Sequence, residues 1–287
     1  MALSELPLAG WPFDLRATLN SGQVFHWHEC GQGFTGLTGD RALYLEQPEP
    51  GVLLCLPGTE AAVVQALGLD HPMAEIVEGF PAGDVHLHAA IAWCPGLRIM
   101  RQPRWECLAT FITSSLKQVP HIRKISLMLR ERFGRRVEAV SGPPQFAYPT
   151  PAALASAGVE ALRACGLGYR AAFLHRCAED ISCGRFDLDA VAQMPDAAAL
   201  ESLMTLHGVG EKIASCALLF GWERHAAFPV DVWVQRIIQR LYFPRVRKLT
   251  PERVRKFIPR HFGPRGGYAQ QFLFHWARTG PAFAQSR

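Results

Sequence analysis

Apolar and polar positions change their period along the chain near residue 95. Before it, FTGLTGDRALYLEQ and GVLLCL alternate or run apolar between Gly, Pro and Asp, the pattern of short strands joined by turns. Residues 1–95 therefore read as a mixed, largely β region. Within it, NSGQVFHWHE (20–29) sets Phe25 and Trp27 two positions apart behind Gly22. A glycine entering a strand can mark the close approach of another group, and a simple turn explains it equally well. After Pro95 the period becomes helical. WECLATFITSSLKQVPHIRKISLMLRERFG carries Leu108, Phe111, Ile112, Ile122, Ile125, Leu127 and Leu129 on apolar faces, and Pro120 predicts a break into two helices near Ser114–Val119. PPQFAYPTPAALAS is a Pro-rich connector in which Thr150-Pro151 reads as an N-cap with Pro at the first helical position. Helices follow around 151–165 and 169–182. A further apolar helical pattern ends at His207, Gly208-Val209-Gly210 makes a tight turn, and a helix runs from Glu211 to near Gly221. Pro229-Val230-Asp231 opens the next one, and GYAQQFLFHWAR closes the series.

Composition narrows the class. With 49% hydrophobic residues and a mean hydropathy of +0.04, the 287-residue chain has ample material for a buried core. No apolar run approaches the roughly 18 residues of a membrane-spanning helix, and MALSELPLAG lacks the basic and apolar regions of a secretory signal. A cytoplasmic or nucleoid location (nuclear in a eukaryote), a monomer and no membrane partner are the expectations. The eight cysteines contain no C-x-x-C, which argues against a zinc site, a disulfide scaffold or an iron–sulfur cluster.

The net charge of +5 hides an asymmetry. Residues 1–100 hold three basic side chains (Arg16, Arg41, Arg98) against eleven acidic ones, and the remainder holds 27 basic against 14 acidic. A polyanion is the natural partner of that second part, although a solvated basic face explains the charge as well. The density is highest over 240–265, with nine Lys or Arg against Glu252.

Candidate chemistry collects around the glycine turn. Gly208 and Gly210 can both take positive φ and leave amides bare, and amides at a helix start suit a phosphate oxygen. Lys212 lies in the first turn of the helix that follows. The positive helix end and desolvation both favour a neutral amine, which is a nucleophile, while a surface lysine is the simpler reading. Asp231 is placed as an N-cap, which suffices as structure. A helix and a loop separate the two, enough chain to bring Asp231 back beside Lys212. Upstream, Gly166-Leu167-Gly168-Tyr169-Arg170 puts an aromatic and an arginine at an exposed loop tip. Such residues can wedge between bases and read base edges, or form an ordinary helix cap. Gln270 and Phe274 lie one turn apart on one helix face.

LHGVGEKIASCALL followed by FPVDVW resembles the helix-hairpin-helix base-excision DNA glycosylases. NSGQVFHW, GLRIMRQPRWECLATFITSS, GLGYRAAFL and GGYAQQFLF are similar, in order, to 8-oxoguanine DNA glycosylases. The resemblance covers nearly the whole chain. It implies an α+β fold: an N-terminal mixed α/β domain with an antiparallel sheet over 1–95, then an all-helical two-lobed region over 96–287. The hairpin would occupy 203–221 and the loop to the catalytic aspartate 222–231. It implies a bifunctional glycosylase and abasic-site lyase acting on duplex DNA that contains 8-oxoguanine. Lys212 falls on the nucleophilic lysine and Asp231 on the catalytic aspartate. Gly22 falls on the glycine whose carbonyl accepts the proton on N7. Phe274 and Cys216 match the residues that sandwich the flipped base, and Gln270 the reader of its Watson–Crick edge. Tyr169 matches the wedge in the duplex, Arg170 an arginine contacting the orphaned cytosine, and Gly208, Val209 and Gly210 the phosphate-gripping hairpin. No cofactor or metal is required, and a monovalent cation often sits at such hairpins.

The pattern is broken in places. The cytosine-contacting asparagine and second arginine are here Leu116 and His121, so reading of the opposite base is expected to be relaxed and shared among Arg170, Lys117, Gln118 and His121. Trp233 replaces a phosphate-contacting histidine and Ala277 an acidic residue. Two alternatives stand at this point. A monofunctional glycosylase for alkylated bases would use the aspartate with water and would not need Lys212. A non-catalytic DNA-binding module would need the hairpin alone.

Overall fold

The computed structural model describes residues 2–8, 10–114, 118–138 and 142–281. The chain opens with β1 (Ser4–Pro7) and α1 (Leu15–Asn20), then β2 (His28–Cys30), β3 (Gly33–Thr38), β4 (Arg41–Glu46) and β5 (Val52–Cys55). These five strands form one antiparallel sheet in the order β1-β5-β4-β3-β2. Alternation along β4 and β5 turns Leu43, Leu45, Leu53 and Cys55 into a core shared with Leu15, Leu19, Val24 and Trp27.

Within residues 1–95 the strands end at Cys55. Residues 56–95, read from the sequence as part of a largely β region, instead form three helices: α2 (Glu60–Leu67), α3 (Met73–Glu78) and α4 (Val85–Trp93). In α2 the buried positions Val63, Ala66 and Leu67 are three and four apart, a helical spacing within a short apolar run that also suits a strand. Gly68, at φ 61°, closes the helix by donating back to Gln65 and Val64. The apolar side chains of α3 and α4 join the larger helical core rather than the sheet core.

Two long helices follow, α5 (Arg104–Ser114) and α6 (Val119–Phe133), with Pro120 in the first turn of α6, where its missing N–H costs nothing. Buried Arg130 of α6 pairs with buried Glu106 of α5, and His26 approaches the same carboxylate at 3.5 Å. After a small β6 (Arg136–Val137) and β7 (Gln145–Phe146) ribbon come α7 (Pro151–Leu162), a π turn (Arg163–Leu167) and α8 (Arg170–Ser182). Thr150 caps α7 by accepting from Ala153 N at 3.2 Å. The chain ends with α9 (Asp196–Met204), α10 (Glu211–Gly221), α11 (Val232–Tyr242), α12 (Pro251–Phe262) and α13 (Gly266–Thr279). Among the described residues, no helix is long and apolar enough to cross a membrane.

Candidate active site

The turn between α9 and α10 is asymmetric. Gly208 has φ +80°, but Gly210 has φ −96° and ψ 177°, so only one of the two glycines uses the left-handed region expected for both. Gly210 needs no such freedom because it is the N-cap of α10, where extended backbone is the rule. Gly208 has a second reason to be glycine, since a Cβ there would lie 2.4 Å from Cγ of Phe173. Val209 is buried between them and anchors the turn. No side chain caps α10, and Gly210 is exposed with open space where a Cβ would project. The first amides of α10 are therefore turned to solvent at the positive end of the helix, a place for an anionic oxygen.

Lys212 is half-buried on the first turn of α10, with Nζ 5.1 Å from the ring centroid of Phe111. One turn later, Cys216 is buried beside Lys212. Burial pushes its thiol up, the Lys212 charge pulls it down, and the Asp231 carboxylate pushes it up again. One sulfur thus feels both candidate catalytic groups. Asp231 is the N-cap of α11, its Oδ1 accepting from Val234 N at 2.7 Å. That bond fixes the carboxylate at the start of the helix.

Gly22 lies in the irregular stretch between α1 and β2, not in a strand as its surroundings suggested. Its φ is +94°, and a Cβ there would meet Arg278 Nη1 at 3.1 Å and Phe274 Cε1 at 3.7 Å. A side chain would therefore be strained by the backbone and crowd the Arg278 guanidinium, while meeting the aromatic at ordinary contact distance. The following residue, Gln23, is fully buried. It donates to Ser21 Oγ at 2.8 Å and Arg98 O at 2.7 Å, accepts from Met100 N at 2.8 Å, and its carbonyl accepts from Gln102 Nε2 at 2.9 Å. Gln270 is buried one turn before half-buried Phe274 on α13, and Gln271 Nε2 donates to its Oε1 at 2.5 Å.

The loop before α8 departs from expectation in one residue. Tyr169 is 57% exposed, as a wedge must be, but Arg170 is only 5% exposed. As the first residue of α8, Arg170 turns inward and stacks its guanidinium 4.4 Å from the Tyr169 ring centroid. Gln118 and His121 are exposed at the start of α6, while Leu116 and Lys117 lie outside the described residues. Val232 and Trp233, beside Asp231, are 56% and 45% exposed.

Sequence reasoning missed three side chains. Phe111 was legible only as core, yet it presents its ring to Lys212. Phe173, beneath Gly208, packs edge-on to both Tyr169 and His207. Arg278 reaches Gly22 from the last turn of α13. No local signal distinguished any of them from ordinary helix residues. Among the described residues, no group of three or more His, Cys, Asp or Glu is arranged to hold a metal ion.

Family models match both halves of the chain. Residues 5–108 match the 8-oxoguanine DNA glycosylase N-terminal domain, and residues 111–260 the HhH-GPD superfamily of base excision DNA repair proteins. The N-glycosylase/DNA lyase OGG1 of Arabidopsis thaliana is 28% identical over 94% of this chain and 78% of its own. A solved structure of MBOgg1 with a low affinity DNA ligand is 30% identical, covering 97% of this chain and 99% of that one at a TM-score of 0.87. The Clostridium acetobutylicum 8-oxoguanine glycosylase/lyase, solved with duplex DNA containing cytosine opposite 8-oxoG, is 26% identical. It covers 97% of this chain and 98% of its own, with a TM-score of 0.87. Sheet domain, uncapped hairpin and the charges around Cys216 thus stand in the frame of a known repair fold, and the chain belongs to the 8-oxoguanine DNA glycosylase family of the HhH-GPD superfamily.

Proposed function

We propose that this protein excises 8-oxoguanine from duplex DNA and cleaves the resulting abasic strand, with Lys212 as nucleophile and Asp231 as the stabilising carboxylate. The observation that carries the assignment is the pair of a lysine on the first turn of α10 and a carboxylate fixed at the start of α11, in a chain alike over nearly its whole length to an N-glycosylase/DNA lyase and an 8-oxoguanine glycosylase/lyase. A non-catalytic module would have no use for that pair, and a monofunctional glycosylase would have no use for the lysine.

The target nucleotide leaves the stack, because its glycosidic carbon is out of reach inside the duplex. Lys212 Nζ attacks C1′, and the C1′–N9 bond breaks toward the base, which takes a proton as the amine loses one. The sugar opens to a Schiff base, loses a proton at C2′ and expels the 3′-phosphate, and water then frees the lysine. Asp231 faces the positive charge that develops on the sugar, held ready by its bond to Val234 N. Nucleophile and countercharge both come from the chain, so the reaction needs no cofactor.

Discrimination rests on Gly22, whose carbonyl would accept the proton that 8-oxoguanine carries on N7 and guanine lacks. Against guanine that acceptor is left unpaired in a closed pocket, a cost of about 1–3 kcal/mol. Phe274 and Cys216 enclose the base and Gln270 reads its edge. Tyr169 fills the gap in the duplex, and Arg170 swings from beneath it to meet the orphaned base. Gln118 and His121, at the start of α6, share that contact. The hairpin amides at 208–210 grip a phosphate.

Borohydride should trap the intact protein covalently on an 8-oxoguanine duplex. Lys212→Gln should abolish trapping while DNA binding persists. A wild-type protein that removes the base but yields no trapped species would sink the lyase assignment.

A further inference from the structure

We propose that Arg278 is a positioning residue of the base pocket, holding the Gly22 acceptor and the Phe274 platform in one rigid unit before DNA arrives. The inference rests on the pocket assignment above. Arg278 lies in the last turn of α13, where a cation suits the negative helix end. That setting alone would leave the side chain in solvent, but it turns into the protein. Its Nη1 donates to Ser21 O at 3.0 Å, joining residues 257 apart in sequence. Its guanidinium also lies over the Phe274 ring, 5.3 Å from the centroid. The same Nη1 stands 3.1 Å from where a Gly22 Cβ would project, and Phe274 Cε1 stands 3.7 Å from that point. Arg278 thus touches both Ser21 and Phe274, and the ring stands close to Gly22.

The geometry gives the guanidinium two tasks. Ser21 O belongs to the peptide immediately before Gly22, so the bond fixes that peptide plane. With Gln23 tied down on the other side, the plane limits where the Gly22 carbonyl can point, at a glycine of φ +94° whose torsions would otherwise be free to vary. Stacking on Phe274 fixes the ring that would lie against the flipped base. A planar fork performs both tasks at once, and an ammonium group cannot. The pocket is then pre-formed, so the ordering cost falls on folding rather than on binding.

The test separates the handling of the base from everything else. Arg278→Met keeps the length of the side chain and removes the guanidinium. Excision of 8-oxoguanine should fall by about 10- to 100-fold in kcat/KM. The preference for 8-oxoguanine over guanine should shrink. Cleavage and borohydride trapping on a duplex that already carries an abasic site should stay within about twofold, because no base needs to be held there. Arg278→Lys should recover only part of the excision. If Arg278→Met lowers excision and abasic-site cleavage equally, the residue is merely structural and the proposal falls. It also falls if neither changes, or if excision rises, which would mean the guanidinium obstructs the pocket. If the wild-type protein cleaves neither 8-oxoguanine nor abasic duplex, the pocket assignment itself has failed.

Discussion

The hairpin offers a pair of substitutions whose consequences should diverge. In Gly208→Ala the new side chain sits at φ +80°, and forcing an L-residue into the left-handed region costs roughly 1–2 kcal/mol. Its Cβ also falls 2.4 Å, 2.5 Å and 2.7 Å from Cγ, Cδ2 and Cβ of Phe173, so the ring must move. Overpacking of this kind adds about 1–3 kcal/mol, for a total of about 2–5 kcal/mol. Phe173 cannot move alone, because it packs 5.5 Å from Tyr169 and 5.0 Å from His207. The wedge should therefore loosen together with the turn. Gly210→Ala adds the same methyl group at φ −96°, with nothing within 4 Å. Stability should stay within about 0.5 kcal/mol. The methyl group would stand on the solvent side of the amides, where a phosphate must approach, so affinity for duplex should drop about tenfold, or ~1.4 kcal/mol. Urea denaturation reads the first effect, and duplex binding at fixed salt reads the second. A Gly210→Ala protein that binds DNA as tightly as the wild type would refute the phosphate grip. A Gly208→Ala protein as stable as the wild type would refute the strained turn.

Asp231 has a structural task and a proposed catalytic one, and two substitutions divide them. Asp231→Asn can still cap α11, so stability should hold while excision is lost; Asp231→Ala should lose excision and also about 1 kcal/mol of stability in urea. Equal activity in Asp231→Asn and the wild type would remove the carboxylate from the mechanism. A third prediction concerns acid. Burial holds His71 down at about 3 and His225 at about 4, helped by the mutual charge of the pair at His71 and by Arg265 at His225. Their folded pKa values lie below the unfolded value of about 6.5, so the stability they contribute is complete above that pH and declines as pH falls toward 4. Each adds up to about 1.4 kcal/mol per pH unit to the decline. His71→Gln should give a flatter plot of unfolding free energy between pH 6.5 and 4, and a parallel plot would overturn this account.

How much of this was legible in sequence depended on the range of the interaction. The span of α10 could be read directly, because Ile213, Ala214, Cys216, Ala217 and Leu219 repeat at helical spacing with glycine at either side. Caps were legible for the same reason, since Thr150 and Asp231 bond to amides three residues on. Helix α2 was not, because eight residues of mostly small apolar character do not separate the strand period from the helix period. The burial of Arg170 was hidden because arginine at a loop tip normally seeks solvent, and only the packed structure shows the aromatic ring it stacks on. Arg278 was beyond reach, because its meaning depends on Ser21 at the opposite end of the chain.

The same distinction explains how a pocket assembled from distant pieces can be held to the tolerance that its chemistry needs. Gly22 lies in an irregular stretch, and irregular backbone is ordinarily the least precise place to put a recognition group. Here Gln23 ties that stretch to the segment 98–102 through Arg98 O and Met100 N, in a fully buried set of bonds. Gln102 continues the connection, donating its side chain to Gln23 O and its backbone N–H to Phe220 O at 2.9 Å. Phe220 belongs to the last turn of α10, the helix that carries Lys212 and Cys216. Every link is a hydrogen bond between buried or half-buried groups, where an unpaired partner would cost about 1–3 kcal/mol, so the links resist separate opening. The acceptor proposed to read N7 and the lysine proposed to attack C1′ are therefore fixed relative to each other through segment 98–102, although almost two hundred residues of chain lie between them.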